Sequence, residues 1–223
     1  MMSNNGNFVP KAIPWREFVN LPNLEGKTIL ELGNKGNKNG LYRDDYLKAG
    51  AISYHCTDLN GLDGAIFVDL RSESAAKQIK EATGIESFDI VTNFGMSEHI
   101  PVQRTFYQCV HNLGHVGSVF VHWTPRARMF QEHGYHGSIF HAEDNFFDKL
   151  IIANNYKAIS PPKFAAEVNR IVTCVLQKQE DTPFVWEPGF RELFWYNKLW
   201  ETSPDAELFK EYIQKQDWFT PIP

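Results

Sequence analysis

Charged side chains in this chain recur where short apolar runs end, and that placement limits the chemistry open to them. The stretch KTILELGNKGNKNG, residues 27–40, passes through Glu31 and Leu32 into a loop holding Gly33, Gly36 and Gly40. Glycines in such a loop let the backbone come close to a small ligand. A pyrophosphate loop requires Gly-x-Gly-x-x-Gly at a helix start, and Lys35 stands where its second glycine belongs. Glu31 at the end of the run repels a pyrophosphate and attracts a cation. Farther along, Asp58 precedes Asn60-Gly61, Asp69 precedes Ser72, and the pair Glu98-His99 follows another apolar run. Glu98 or His99 could take a proton from an acceptor hydroxyl, or could equally line a pocket and cap the next helix.

A second cluster lies in TPRARMFQEHGYHGSIFH, where His133, His136 and His141 are followed by Glu143. Imidazoles and a carboxylate are metal ligands, but this spacing does not put them on one helix face, and no two-histidine-plus-carboxylate signature is intact; no metal is expected. Arg126 and Arg128 in the same loop could meet a phosphate or carboxylate, or stand in solvent.

The elements that must hold these groups alternate between strand and helix. Strands are expected at Thr28–Leu32, Ile52–Thr57, Ala65–Val68, Phe88–Val91, Ser118–His122, Tyr156–Ile159 and Arg170–Leu176. Several are continuous apolar runs, as in strands covered on both faces. Helices are expected at Leu41–Ala49 before Gly50 and at Ser74–Thr83 before Gly84, each glycine suited to a left-handed C′ position. A third begins at Pro101 with Val102, Phe106, Cys109, Val110 and Leu113 on one face, and a fourth opens with Glu143 and Asp144 and buries Phe146, Phe147, Leu150 and Ile151. This alternation predicts an α/β domain with a mainly parallel sheet, whose ligands settle beyond the carboxyl ends of the strands where strand order reverses.

The 223 residues suit a single domain, with a core over about 26–178 and an aromatic-rich helical appendage over about 183–223. In that appendage Phe190, Phe194 and Trp195 have helical spacing, to pack on the sheet body or on a second subunit of a homo-oligomer, and Ser203-Pro204 opens a last helix with Phe209, Tyr212 and Ile213 inward. Cys56, Cys109 and Cys174 are scattered in apolar segments, which reads as buried reduced thiols. The polar amino terminus lacks an apolar signal core and no run is long enough to cross a bilayer, so a cytoplasmic protein without membrane association is expected. The net charge of −5 argues against broad nucleic-acid affinity.

A ligand with a positive charge and no phosphate suits the Glu31 loop, and S-adenosylmethionine, with its ammonium and sulfonium, is one. ILELGNKGNKNG resembles the first motif of class I S-adenosylmethionine-dependent methyltransferases, an acidic residue ending strand one before a glycine loop. YHCTDLNG, AIFVDLRS, FDIVTNFGMSEHI and HVGSVFVHW are similar to the family's later motifs, in order and each at a strand end. The resemblance covers roughly Gly26 to Gln177. It departs at Lys35 and Asn37, which occupy the family's last two glycine positions.

The resemblance implies a three-layer Rossmann-like fold with seven strands, the last antiparallel, in which Arg170–Leu176 pairs beside Tyr156–Ile159. It implies S-adenosylmethionine as cofactor, held by Glu31, Gly33, Asn34 and Lys35, by Asp58 and Leu59, by Asp69 and Leu70, and by Asn93 and Phe94. Within these stretches Asp58 would meet the ribose hydroxyls and Asp69 the adenine amine, unless Asp58 is only a turn residue and Asp69 only a helix opener. Lys35 would meet the methionyl carboxylate, or stand solvated. The histidine loop resembles one that borders the acceptor site in small methyltransferases, so His136 joins Glu98 and His99 as a catalytic candidate. The expected activity is O- or N-methylation of a small molecule. The alternatives are a non-catalytic adenosyl-binding protein of the same fold and, weakened by Lys35, a nicotinamide-dependent oxidoreductase.

Overall fold

A computed structural model of the chain describes residues 23–34, 41–125, 140–143, 145–164 and 171–196. The first strand, β1 (Thr28–Leu32), is expected from its apolar run and found with those bounds, Ile29, Leu30 and Leu32 all buried. Helix α1 (Leu41–Lys48) leads to β2 (Ser53–Asp58), and Tyr46 of the helix stacks on Tyr54 of the strand at 5.2 Å. Only Leu59 to Ala65 separate β2 from β3 (Ile66–Phe67), although the two are parallel. A parallel crossover ordinarily takes about a dozen residues and carries a helix. Here a short 3₁₀ turn, Leu62–Gly64, replaces it, and β3 is shorter than the Ala65–Val68 expected.

Helix α2 (Ala75–Thr83) ends as expected at Gly84, whose φ of +68° lets its N–H reach the Lys80 carbonyl at 2.8 Å. It leads to β4 (Phe88–Phe94). Helix α3 (Gln103–Leu113) starts two residues beyond the expected Pro101, and its buried face carries the expected Phe106, Cys109, Val110 and Leu113. Then come β5 (Gly114–Pro125), β6 (Phe140–Ala142), α4 (Phe146–Ala153), β7 (Tyr156–Phe164), β8 (Ile171–Lys178) and β9 (Phe194–Tyr196).

Seven strands form one sheet in the order β3-β2-β1-β4-β5-β8-β7. The first five are mutually parallel, and β8 runs antiparallel to both β5 and β7. Tyr46 of α1 covers one face over Ile29, Ile90, Val119 and Val121. Helices α2, α3 and α4 cover the other over Leu30, Val91, Phe120 and Leu176. The expected three-layer architecture is therefore present. All three cysteines are buried thiols. No helix among the described residues is long and apolar enough to cross a membrane.

The tail differs from its helical expectation. Pro188–Leu193 is a 3₁₀ turn with Phe190 buried, and the chain then straightens into β9, which pairs antiparallel with β6 from Phe140↔Tyr196 to Ala142↔Phe194. Phe194, Trp195 and Tyr196 are aromatic residues that suit a pleated pair as well as a helix face, and the partner strand decides. The rest of the tail, with Ser203, Pro204, Phe209, Tyr212 and Ile213, lies outside the described residues.

Candidate functional site

Strand order reverses between β1 and β4, so the loops after these two strands border the crevice. They touch. Gly33 has φ +86°, and a Cβ added there would lie 3.3 Å from the Met96 Sδ. Any other residue would meet both a strained backbone and that thioether. The Gly33 N–H donates to Thr57 Oγ1 at 3.4 Å, and the Asn34 N–H to Asp58 Oδ2 at 3.1 Å, tying the β1 loop to the end of β2. Asn34 Nδ2 also donates to the Leu62 carbonyl at 3.0 Å.

Asp58 organises the next turn. Its Oδ1 accepts the Asn60 N–H at 3.0 Å, and Asn60 Oδ1 accepts the Leu62 N–H at 2.8 Å, carrying the chain through Gly61 at φ +59°. It is thus a turn residue, and not only that. Each carboxylate oxygen takes one of these backbone amides and has room for a second donor. Leu59 beside it is largely exposed. Glu31 lies deeper, 1% exposed, its Oε2 accepting the Tyr54 hydroxyl at 3.3 Å.

Asp69 follows β3, between the buried Val68 and Leu70. Its Oδ1 accepts the Arg71 N–H at 2.9 Å and Arg71 Nε at 2.7 Å, and its Oδ2 accepts Arg71 Nη2 at 2.7 Å. Partial burial pushes the Asp69 pKa up, but the hydrogen bonds and charge of Arg71 outweigh it and leave the carboxyl below its ordinary value.

The loop after β4 is built on Asn93. Its Oδ1 accepts the backbone N–H groups of Met96 at 3.2 Å and Ser97 at 3.0 Å, which fixes the amide's orientation. Its Nδ2 then donates to Ser97 Oγ at 3.0 Å and His122 Nδ1 at 3.3 Å. All four hydrogen-bonding positions of the amide are committed, so Asn93 shapes the turn rather than presenting its amide to a ligand. Phe94 is buried beside it. The turn, Ser97–His99, holds Glu98 at 4% exposure and His99 at 33%, with His99 Nε2 3.9 Å from Glu98 Oε1. Gln103 Nε2 locks this turn to α3 by donating to the carbonyls of Ser97 at 2.7 Å and Ile100 at 2.6 Å.

His122 lies behind the turn, and burial lowers its pKa to about 3, so it is neutral with its proton on Nε2. Tyr107 packs on it at 5.6 Å between ring centroids, with its own pKa pushed up by burial. His122, Tyr107 and Gln103 are supports that the sequence pattern hides among apolar neighbours; a histidine inside the FVHW run is the one visible signal.

The structure thus brings Gly33, Asn34 and Asp58 into one hydrogen-bonded frame, and Asn93, Glu98 and His99 into a second across the crevice. Lys35 and His136 lie outside the described residues, as do His133, Arg126 and Arg128. His141 falls on β6, which lies against the Ser97–His99 turn, and Glu143 donates its N–H to the Leu193 carbonyl at 2.6 Å.

No protein-family model matches the sequence, and no curated protein matches it. Solved structures do match the fold. The chain overlays a Listeria monocytogenes protein assigned as an S-adenosylmethionine dependent methyltransferase with TM-score 0.51 and 14% identity, over 74% of this chain and 98% of that one. It overlays an O-methyltransferase family protein from Burkholderia thailandensis with TM-score 0.50 and 10% identity, over 73% of this chain and 54% of that one. The CurJ carbon methyltransferase gives TM-score 0.47 and 14% identity, over 74% of this chain and 52% of that one. The chain therefore spans about half the length of the last two. Strand order, the antiparallel β8 and the Listeria overlay together give the chain the Rossmann-like fold found in class I S-adenosylmethionine-dependent methyltransferases.

Proposed function

We propose that this chain is an S-adenosylmethionine-dependent methyltransferase acting on the oxygen or nitrogen of a small molecule. The observation that carries the proposal is the run of acidic residues at the carboxyl ends of the parallel strands: Glu31 in β1, Asp58 ending β2, Asp69 following β3 and Glu98 in the turn after β4, with the left-handed Gly33 after β1. Carboxylates at that density repel the pyrophosphate of a dinucleotide and favour a sulfonium and an ammonium.

When bound, the cofactor supplies a methyl group already activated by a positive sulfur. The protein's part is to hold and align. Asp58 binds hydroxyls through the open positions on its oxygens, Asp69 meets the nucleobase, and the Gly33–Lys35 loop holds the amino-acid end. Asn93 acts as a framework for the Ser97–His99 turn, so that Glu98 and His99 face the acceptor, and His136 is the third catalytic candidate. Methyl transfer gains mainly from alignment in a water-poor site, and Glu98 or His99 takes the acceptor proton where the acceptor is a hydroxyl. The β6–β9 pair beside this turn supports an enclosed acceptor side and hence a small substrate. Buried thiols and the charge balance fit a cytoplasmic single-domain enzyme, with residues 1–223 as one unit.

Calorimetric titration with S-adenosylhomocysteine tests the reading. Micromolar-range binding is expected, weakened about tenfold or more in Asp58→Ala, since a hydrogen bond to a charged group is worth over about 1.4 kcal/mol. Absence of binding, or displacement of the ligand by NAD, overturns it. Binding with no turnover across a panel of hydroxyl and amine acceptors reduces the chain to an adenosyl-binding protein.

A further inference from the structure

We infer that Arg71 is a positioning residue that sets nucleobase selectivity in this crevice, by fixing Asp69 so that a single acceptor direction on Oδ2 faces an exocyclic amine. The inference rests on the function proposed above and deepens it. Its basis is the arithmetic of hydrogen bonds on one carboxylate.

Asp69 Oδ1 accepts two N–H groups, from the Arg71 backbone at 2.9 Å and from Nε at 2.7 Å, which fills it. Oδ2 accepts only Nη2, at 2.7 Å, among the hydrogen bonds of the described residues. One lone pair on Oδ2 is left. The side chain of Asp69 is 30% exposed and that of Arg71 only 15%, so the clamp lies inside and the carboxylate rim lies outside. A planar guanidinium holding both oxygens fixes the carboxylate's rotation as well as its charge, which a lysine ammonium does not do.

The plain alternative is that Asp69 opens α2. The hydrogen bonds argue otherwise. Ser74 is the N-cap of α2; its N–H donates to Ser72 Oγ at 3.2 Å, and its own Oγ accepts Gln78 Nε2 at 2.7 Å. The Asp69 carboxylate receives no amide from the helix. Its backbone carbonyl accepts the Ser72 N–H at 3.0 Å, closing a turn that sets Arg71 back against the carboxylate it follows by two residues. The clamp is therefore made within one turn, at the end of β3, where the family resemblance expects the adenine end of the ligand.

An ionised carboxylate can only accept. The side chain's lowered pKa keeps it ionised at neutral pH, so it welcomes the 6-amino group of adenine and repels the 6-oxo group of hypoxanthine. A site built around such a partner rejects the mismatched analogue strongly, because a buried polar group is left facing the wrong atom. Without Arg71 the carboxylate rotates freely and the discrimination falls.

The test titrates the full chain with S-adenosylhomocysteine and S-inosylhomocysteine by calorimetry. The wild type is expected to prefer the adenine ligand by about tenfold or more. In Arg71→Ala the preference falls to within about threefold while S-adenosylhomocysteine still binds, and Arg71→Lys restores little of it. Arg71→Gln, which keeps most of the stem and one donor, serves where Arg71→Ala does not fold, with the same loss expected. An unchanged preference in the variants, or no preference in the wild type, overturns the inference and leaves the cofactor assignment standing. Failure of both ligands to bind the wild type overturns the assignment itself, and this inference with it.

Discussion

At the amino ends of the strands, Asp89 accepts the Thr28 N–H at 2.9 Å, the Thr28 hydroxyl at 2.9 Å and Lys27 Nζ at 3.2 Å, and returns its own N–H to Thr28 Oγ1 at 3.0 Å. At the carboxyl ends, Asp58 accepts two loop amides and keeps room on both oxygens. The residue type and charge are the same. The difference is whether the fold uses up the hydrogen-bonding capacity, and that separates a closed joint from a carboxylate that can still accept. Lys178 repeats the lesson at the amino end: 2% exposed, its Nζ donates to the carbonyls of His111 at 3.4 Å and Gly114 at 3.1 Å and to Asp181 at 3.0 Å, stopping the carboxyl end of α3. A cavity of about 640 Å³ opens there, but Lys77, Lys80 and Lys178 share its wall with Glu73, Glu86 and Asp181, so neither sign of charge prevails.

Breaking an amino-end joint should therefore cost stability and spare binding. The largest effect is expected for Lys178→Met, which takes the buried ammonium donor away from the Gly114 carbonyl and leaves the His111 carbonyl with only the Gly114 N–H. Urea denaturation should show a loss of about 3 kcal/mol, with the affinity for S-adenosylhomocysteine unchanged in the folded fraction. Asp89→Ala should follow, at about 2 kcal/mol, again without a change in affinity. Asp58→Ala should invert the pattern, with the binding loss described above and a smaller shift in stability. An Asp89→Ala protein that binds tenfold more weakly would contradict the separation of the two ends.

Acid tests the middle of the molecule. His122 has its pKa lowered to about 3 by burial, so the folded state holds it neutral while the unfolded chain takes up a proton near 6.5. Its contribution is present above the unfolded value and is lost as pH falls below it, by about 1.4 kcal/mol per pH unit. His111 acts in the same direction through burial and the nearby Lys178 charge. Replacing His122 with Gln should flatten the slope of stability between about pH 6.5 and 4.5. A slope identical to that of the wild type would show that the ring is not held neutral.

How much of this could be read from residues alone follows the range of the interactions. β1 was legible because a run covered on both faces is apolar throughout, and the end of α2 because only glycine sits easily at φ +68°. Gly33 and Asp58 were legible by position at strand ends. The pairing of β6 with β9 was not, because its strands come from opposite sides of α4, β7 and β8, and the aromatic spacing of the tail fits a helix equally well. Nor could the commitment of Asn93 be foreseen. Its four bonds depend on the fold of the next four residues and on His122 of the neighbouring strand.

The smallest effect is expected where the carboxyl end is least covered. Phe67 pairs with Asp58 across β3 and is 71% exposed, because the connection from Leu59 to Ala65 is too short to lay a helix over it. A large aromatic in a core would cost about 3–5 kcal/mol on truncation. Here the side chain already stands mostly in water, so Phe67→Thr, which puts another strand-favouring residue on the edge, should change stability by less than about 0.5 kcal/mol in urea denaturation. A loss of about 2 kcal/mol or more would mean that the aromatic is packed under something in solution, and that this edge, unlike the Asp58 turn beside it, belongs with the closed joints.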